Sequence, residues 1–291
     1  MSKMAVIAGT GAGRLFQDMV KKHNSETPYG TVTVFSSDEL DPSVPIVLRH
    51  GAGRRIPPHL VNYRANVDAI ARMGVERILA VGAVGSLRSS LRPGDIVLPD
   101  QLLDFTKARH YTFADQASQR TGHADFANPF CEELRKIGLS SASELEMPVH
   151  PRAVYVCTEG PRYETAAEIR MFKMLGGDVV GMTCIPECIL AGERGMCYFH
   201  VSVVTNMAAG MQSETITHEM VERTVAGRSV QLRNLVKQVV QNERDAGSKG
   251  HLTGRPTNAT GSLMRETSLT PCSNPFGGER LTPRTNWQPG P

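Results

Sequence analysis

The 291-residue chain has no apolar run approaching the roughly 20 residues that a membrane-crossing helix needs, so such a helix is not expected. Its opening residues, Met1-Ser2-Lys3-Met4-Ala5-Val6-Ile7, lack the longer apolar segment and the cleavage site of a secretory leader, and a cytoplasmic location is expected. Cysteine occurs at positions 131, 157, 184, 188, 197 and 272, and only Cys184 and Cys188 lie close together. With no second pair at zinc-ligand spacing, a metal site is not expected, and the cysteines read mainly as small buried apolar residues. The net charge of +3 carries little information. Residues 247–291 hold Lys249, Arg255, Arg265, Arg280 and Arg284 against Glu266 and Glu279, and the remainder is balanced. Such a body shows no basic excess of the kind that nucleic-acid binding requires.

What is present is an alternation of short β-rich runs and helical patterns. The runs fall at residues 5–8, 31–35, 45–48, 77–81, 95–98, 153–157, 178–181 and 197–204. Helical spacing appears in residues 60–73, 166–175 and 186–194, and residues 217–245 read as one long closing helix with Thr217 as its N-cap. Strands alternating with helices predict an α/β fold. The expectation is a single domain over residues 1–246, with a mixed, largely parallel central sheet flanked by helices. From residue 247 onward apolar residues scatter while proline and glycine accumulate, and residues 247–291 are expected to be a disordered tail.

Six short segments near the ends of these runs carry polar or small residues suited to a ligand. Gly9-Thr10-Gly11 follows the first run, and its glycines let backbone N–H groups approach an anion while Thr10 adds a hydroxyl. Arg14 stands where a dinucleotide fingerprint needs glycine. Arg49-His50-Gly51 supplies a planar guanidinium that matches phosphate oxygens. Gly82-Ala83-Val84-Gly85-Ser86, read as the turn that closes its strand, offers a small-residue surface. Glu159-Gly160-Pro161-Arg162-Tyr163-Glu164 joins a turn, an aromatic ring and a carboxylate, and Gly181-Met182-Thr183 ends another run. Finally, residues 201–210 lose their β pattern at Thr205-Asn206, which puts a side-chain amide at a strand end, where open α/β sheets bind ligands. An amide has donors and an acceptor without a charge. Together with Glu164 it suits the edge of a 6-oxopurine base.

In this order the segments, with Val61-Asn62-Tyr63-Arg64-Ala65-Asn66 and Pro93-Gly94-Asp95-Ile96-Val97, resemble the trimeric purine nucleoside phosphorylase and methylthioadenosine phosphorylase family. The resemblance implies that inorganic phosphate, as co-substrate, attacks C1′ of a purine nucleoside and releases the free base and an α-sugar 1-phosphate, with no metal or organic cofactor. It implies that Thr10, Arg49, His50, Ala83 and Thr183 hold phosphate, that Tyr163 and Met182 pack on sugar or base, and that His123 reaches a neighbouring subunit's site in a homotrimer. Asn206, Glu164 and His50 are the residues it places at the reacting groups.

Three departures bear on the substrate. Methylthioadenosine phosphorylases carry serine where this chain has Glu164, and aspartates where it has Asn206 and Ala208. Adenine shows an acceptor at N1, whereas hypoxanthine and guanine show a donor there and an acceptor at O6. A Glu164 carboxylate accepts from N1–H, and Asn206 can donate to O6 or N7. His218 stands near the position where methylthio-specific members place a small or apolar side chain, and it can bond a 5′-hydroxyl. Inosine and guanosine are therefore the expected substrates. The alternatives are methylthioinosine or methylthioadenosine and, in a different class, a nucleotide-binding regulator without turnover.

Overall fold

The computed structural model describes residues 4–11, 15–16, 18–53, 56–114, 125–212 and 215–248. Among them a single mixed sheet holds ten strands: β1 (Met4–Ala8), β2 (Val20–Thr27), β3 (Gly30–Ser36), β4 (Ile46–Leu48), β5 (Arg77–Ser86), β6 (Ile96–Val97), β7 (Gln101–Phe105), β8 (Val154–Thr158), β9 (Val179–Gly181) and β10 (Cys197–Met207). Six helices flank it: α1 (Tyr63–Arg72), α2 (Glu132–Glu144), α3 (Ala166–Met174), α4 (Cys184–Glu193), α5 (His218–Gly227) and α6 (Ser229–Ser248). The expected α/β class and mixed sheet are thus observed.

The strands run in the order β2-β3-β4-β1-β5-β9-β8-β7, and β10 lies along β5 and also pairs β6. β1 pairs in parallel with β4 and β5, β10 with β5, and β8 with β7 and β9. The central strands β1, β5 and β10 are buried on both faces. Alternate residues of β1, β5 and β10 separate into two clusters. Ile7, Ala80 and Tyr198 face α1 and α4, and Val6, Leu79 and Phe199 face α2 and α6. Burial on both faces explains why these strands read as continuous apolar runs.

β5 organises the site. One of its edges pairs with β1 from Arg77 to Val81, and β9 joins antiparallel only at Gly85 and Ser86. Between the two partners, Gly82, Ala83 and Val84 are left without a neighbour in those two registers. The C-terminal ends of β1 and β9 both arrive at this gap.

Several sequence expectations change. Residues 82–86 are not a closing turn but the second half of β5. The closing helix is two helices, because α5 ends at Gly227 and α6 begins at Ser229. β2 and β7 and helix α2 were not anticipated. β2 is a polar, largely exposed strand hydrogen-bonded to β3, so its sequence has no buried alternation to read.

Candidate active site

A cavity of about 430 Å³ opens at the β5 gap. Its floor is Gly82, Ala83, Val84 and Gly85, and the segments leaving β1, β4, β8, β9 and β10 form its walls. Thr10, Arg49, His50, Ala83, Tyr163, Glu164, Met182, Thr183, Asn206, Ala208 and His218 all line it. The structure thus brings together every described residue singled out from the sequence. His123 lies outside the described residues, as do Arg14 and residues 249–291.

Arg49 follows β4 and is 1% exposed. Its Nε donates to Glu187 Oε1 at 2.5 Å, its Nη2 to Glu187 Oε2 at 2.8 Å and its Nη1 to the Val81 carbonyl at 2.9 Å. A guanidinium has five N–H donors, so these bonds leave one on each terminal nitrogen for a ligand. Burial by itself would depress the Arg49 pKa, but the Glu187 carboxylate more than offsets it and keeps the guanidinium charged. Gly9 makes this seat possible. A Cβ there would sit 2.0 Å from Arg49 Nη1 and 2.7 Å from the Val81 carbonyl.

His50 Nδ1 donates to the Ile56 carbonyl at 2.8 Å, which turns Nε2 toward Thr10 Oγ1, 3.5 Å away. Burial, followed by repulsion from Arg49, lowers its pKa to about 4. The ring is therefore neutral near pH 7, and Nε2 carries a lone pair. Thr183 occupies the N-cap position of α4 without a side-chain cap bond, so its hydroxyl is available to an anion. The cavity thus joins two N–H groups of Arg49, two hydroxyls and a neutral imidazole.

Glu164 and Asn206 supply polar groups elsewhere in the cavity. Glu164 is 9% exposed, and its Oε1 accepts from Thr158 Oγ1 at 2.6 Å. Burial raises its pKa, and the Thr158 hydroxyl opposes that rise. A register shift in β10 between Val204 and Asn206 sets Asn206 against Gly85. Thr205 Oγ1 donates to Asn206 Oδ1 at 2.8 Å, and Asn206 Nδ2 donates to the Met207 carbonyl at 2.9 Å. One N–H and one carbonyl lone pair of the amide are not used by these bonds. Tyr163, 37% exposed, and Met182 add apolar surface.

Four side chains that the sequence reading left without a role support the site. Glu187 holds Arg49 and also accepts from the Tyr198 hydroxyl at 2.8 Å. An acid directly before the apolar run Cys188-Ile189-Leu190 was the available signal, because a charge buried there needs a partner. Arg109 donates to the carbonyls of Met182 at 2.8 Å, Glu159 at 2.5 Å and Thr158 at 3.3 Å, so it ties the ends of β8 and β9 together. It lies in an irregular segment with no periodicity to mark it. Thr158 and Thr205 orient the side chains of Glu164 and Asn206. His218 is the first residue of α5, capped by Thr217, and its side chain is 71% exposed at the cavity rim, 3.6 Å from Glu222.

A cavity at the switch point of an α/β sheet, lined by anion donors and by an amide and a carboxylate, has the chemistry to take an oxyanion together with a polar ligand. The chain belongs to the phosphorylase superfamily, whose family model matches residues 3–241. It is 44% identical to the 6-oxopurine nucleoside phosphorylase of Pyrococcus furiosus over 262 residues, covering 87% of this chain and 99% of that protein. It is 42% identical to the S-methyl-5′-thioadenosine phosphorylase of Pyrococcus horikoshii over 244 residues, covering 82% and 92%. The solved structure of methylthioadenosine phosphorylase from Schistosoma mansoni in complex with adenine superposes with a TM-score of 0.76 at 30% identity, over 88% of this chain and 99% of that one.

Proposed function

We propose that the protein is a 6-oxopurine nucleoside phosphorylase, which converts inosine or guanosine and inorganic phosphate to the free base and α-ribose 1-phosphate. Overall identity does not separate the two kinds of relative, since 44% and 42% are nearly equal. The observation that carries the reading is local: Glu164 and Asn206 line one cavity, each with hydrogen-bonding capacity left for a ligand. An ionised Glu164 accepts from the N1–H of a 6-oxopurine and faces a lone pair on adenine. The wrong base leaves buried polar groups unpaired, which discriminates strongly.

In this reading phosphate lies against Thr10, Arg49, His50, Ala83 and Thr183 and attacks C1′ as the glycosidic bond breaks. The developing cation at C1′ is stabilised by the phosphate charge. The electron pair of the broken bond moves onto the purine, and the Asn206 N–H at O6 or N7 strengthens as that charge grows, which directs stabilisation to the transition state. Positioning supplies further rate, and neither a side-chain nucleophile, a metal nor an organic cofactor takes part. The active form is a cytoplasmic homotrimer in which His123 serves a neighbouring site. Tyr163, exposed at the cavity rim, gives a second copy an apolar surface to cover.

The 5′ side carries a second reading. His218 and Glu222 can bond a 5′-hydroxyl, while Ile56, Ile216 and Val221 in the same cavity suit a methylthio group. The hydroxyl is the expected substituent. Phosphorolysis of inosine, guanosine, adenosine, methylthioinosine and methylthioadenosine, with and without phosphate, tests all of this. Inosine or guanosine should exceed adenosine by at least about tenfold, the scale of one lost hydrogen bond. Equal rates on adenosine and inosine would overturn the base assignment, and absence of phosphate-dependent turnover would leave the regulator. If methylthioinosine outperforms inosine, the methylthio reading replaces the hydroxyl one.

A further inference from the structure

We propose that Thr158 is a positioning residue for base selection: its hydroxyl clamps one oxygen of the Glu164 carboxylate and leaves the other to meet the base as an acceptor. This rests on the reading of the cavity as a 6-oxopurine nucleoside site.

Thr158 is the last residue of β8, paired in register with Phe105 of β7, and it is buried. Its own carbonyl is held by Arg109 Nη2, which fixes the backbone from which the hydroxyl projects. The hydroxyl has a single proton and two acceptors within reach, Glu164 Oε1 at 2.6 Å and the Gly181 carbonyl at 3.5 Å. The shorter contact takes the proton. Glu164 Oε1 is thereby occupied, and Oε2 is the oxygen left for a ligand.

The state of Oε2 decides which base fits. On an ionised Glu164 it only accepts, which suits N1–H of hypoxanthine or guanine. On a neutral Glu164 whose proton sits on Oε2 it donates, which suits adenine N1. Burial favours the neutral acid, and the Thr158 hydroxyl favours the carboxylate. The charged and titratable groups around it are few. Arg162 on the same loop favours the carboxylate, Glu168 on α3 opposes it, and Tyr163 adjoins it. The cavity-lining residues of β9 and β10, Val180, Gly181, Thr205 and Asn206, and Met182 and Ala208 just beyond them, are not acids or bases. The hydroxyl, ahead of the residue's own backbone N–H, is therefore the main uncharged group that keeps Glu164 an acceptor.

The test is Thr158→Val, which keeps the shape and removes the donor, with Thr158→Ser restoring it. The measurement is kcat/KM for inosine and for adenosine across pH. In Thr158→Val the acid limb for inosine should move up by about one pH unit, and the inosine-to-adenosine ratio near that limb should fall about tenfold, the loss expected for one hydrogen bond to a charged group. Thr158→Ser should return both toward the parent. If Val at this position does not yield folded protein, Thr158→Ala gives the same readout. Should Thr158→Val keep the parent's limb and ratio, or lower both substrates equally at every pH, the proposal is overturned while the functional reading stands. A parent enzyme with no preference for inosine overturns that reading and the proposal with it.

Discussion

Arg49, at the end of β4, and Glu187, on α4, form a two-bond pair across 138 residues of sequence, and neither side chain is more than 1% exposed. The pair fixes the guanidinium plane and offsets its charge. Any anion at this site is then held by the spare N–H groups and the hydroxyls rather than by an uncompensated cation.

Breaking this pair should damage both the fold and the phosphate side. Glu187→Gln leaves a buried guanidinium short of its counter-charge, and loss of one partner of a buried ion pair costs about 3–5 kcal/mol. Thermal or denaturant unfolding should show the loss. In the folded fraction KM for phosphate should rise more than KM for the nucleoside. A variant with the parent's midpoint and the parent's phosphate KM contradicts this role.

Gly9→Ala tests the seat of Arg49 from the opposite side. The new Cβ meets Nη1 and the Val81 carbonyl, and the carbonyl is backbone of the central strand and cannot yield cheaply. Overpacking of this kind costs roughly 1–3 kcal/mol. Phosphate KM should increase with little change in the ratio of inosine to adenosine rates, which steady-state kinetics on both substrates would show.

Asn206→Asp replaces an amide that can donate with a carboxylate that only accepts. Turnover of inosine should fall by at least about tenfold, near 1.4 kcal/mol for the lost bond, and adenosine should gain relative to inosine. Unchanged relative kcat/KM values would separate Asn206 from base recognition.

His50 sets a pH dependence whose sign follows from its lowered pKa of about 4 against an ordinary 6.5. Between these values the unfolded chain binds a proton that the folded chain does not, so stability rises with pH. The contribution is complete above about pH 6.5 and is lost progressively as pH falls toward 4. An NMR titration of the His50 ring should give a midpoint near 4, and His50→Asn should flatten the acid side of the stability profile. A ring midpoint at 6.5 would contradict the neutral state.

Some features were legible because they are local. The apolar runs of β1, β5 and β10 announce a sheet buried on both faces, and Thr217 caps α5 as its chemistry requires, accepting from the Met220 N–H. The site segments were found because glycine, arginine, carboxylate and amide residues recur at strand ends. The break of the closing helix at Arg228 was not legible, since an apolar stripe runs on through both helices. The polar strand β2 was hidden because its pairing with β3, not burial, holds it.

The sequence by itself determined the α/β class, the family and the set of candidate side chains, because periodicity and residue type act over short stretches of chain. Only the tertiary structure decided where they converge. β1 leaves β5 after Val81 and β9 joins at Gly85, and the gap between those two registers becomes the floor of the cavity. The same holds for Arg49 with Glu187, Thr158 with Glu164, and Arg109 across three carbonyls. Each is a pairing of buried polar groups that must be satisfied once water is excluded, and which partner satisfies them is fixed by the packing of distant elements.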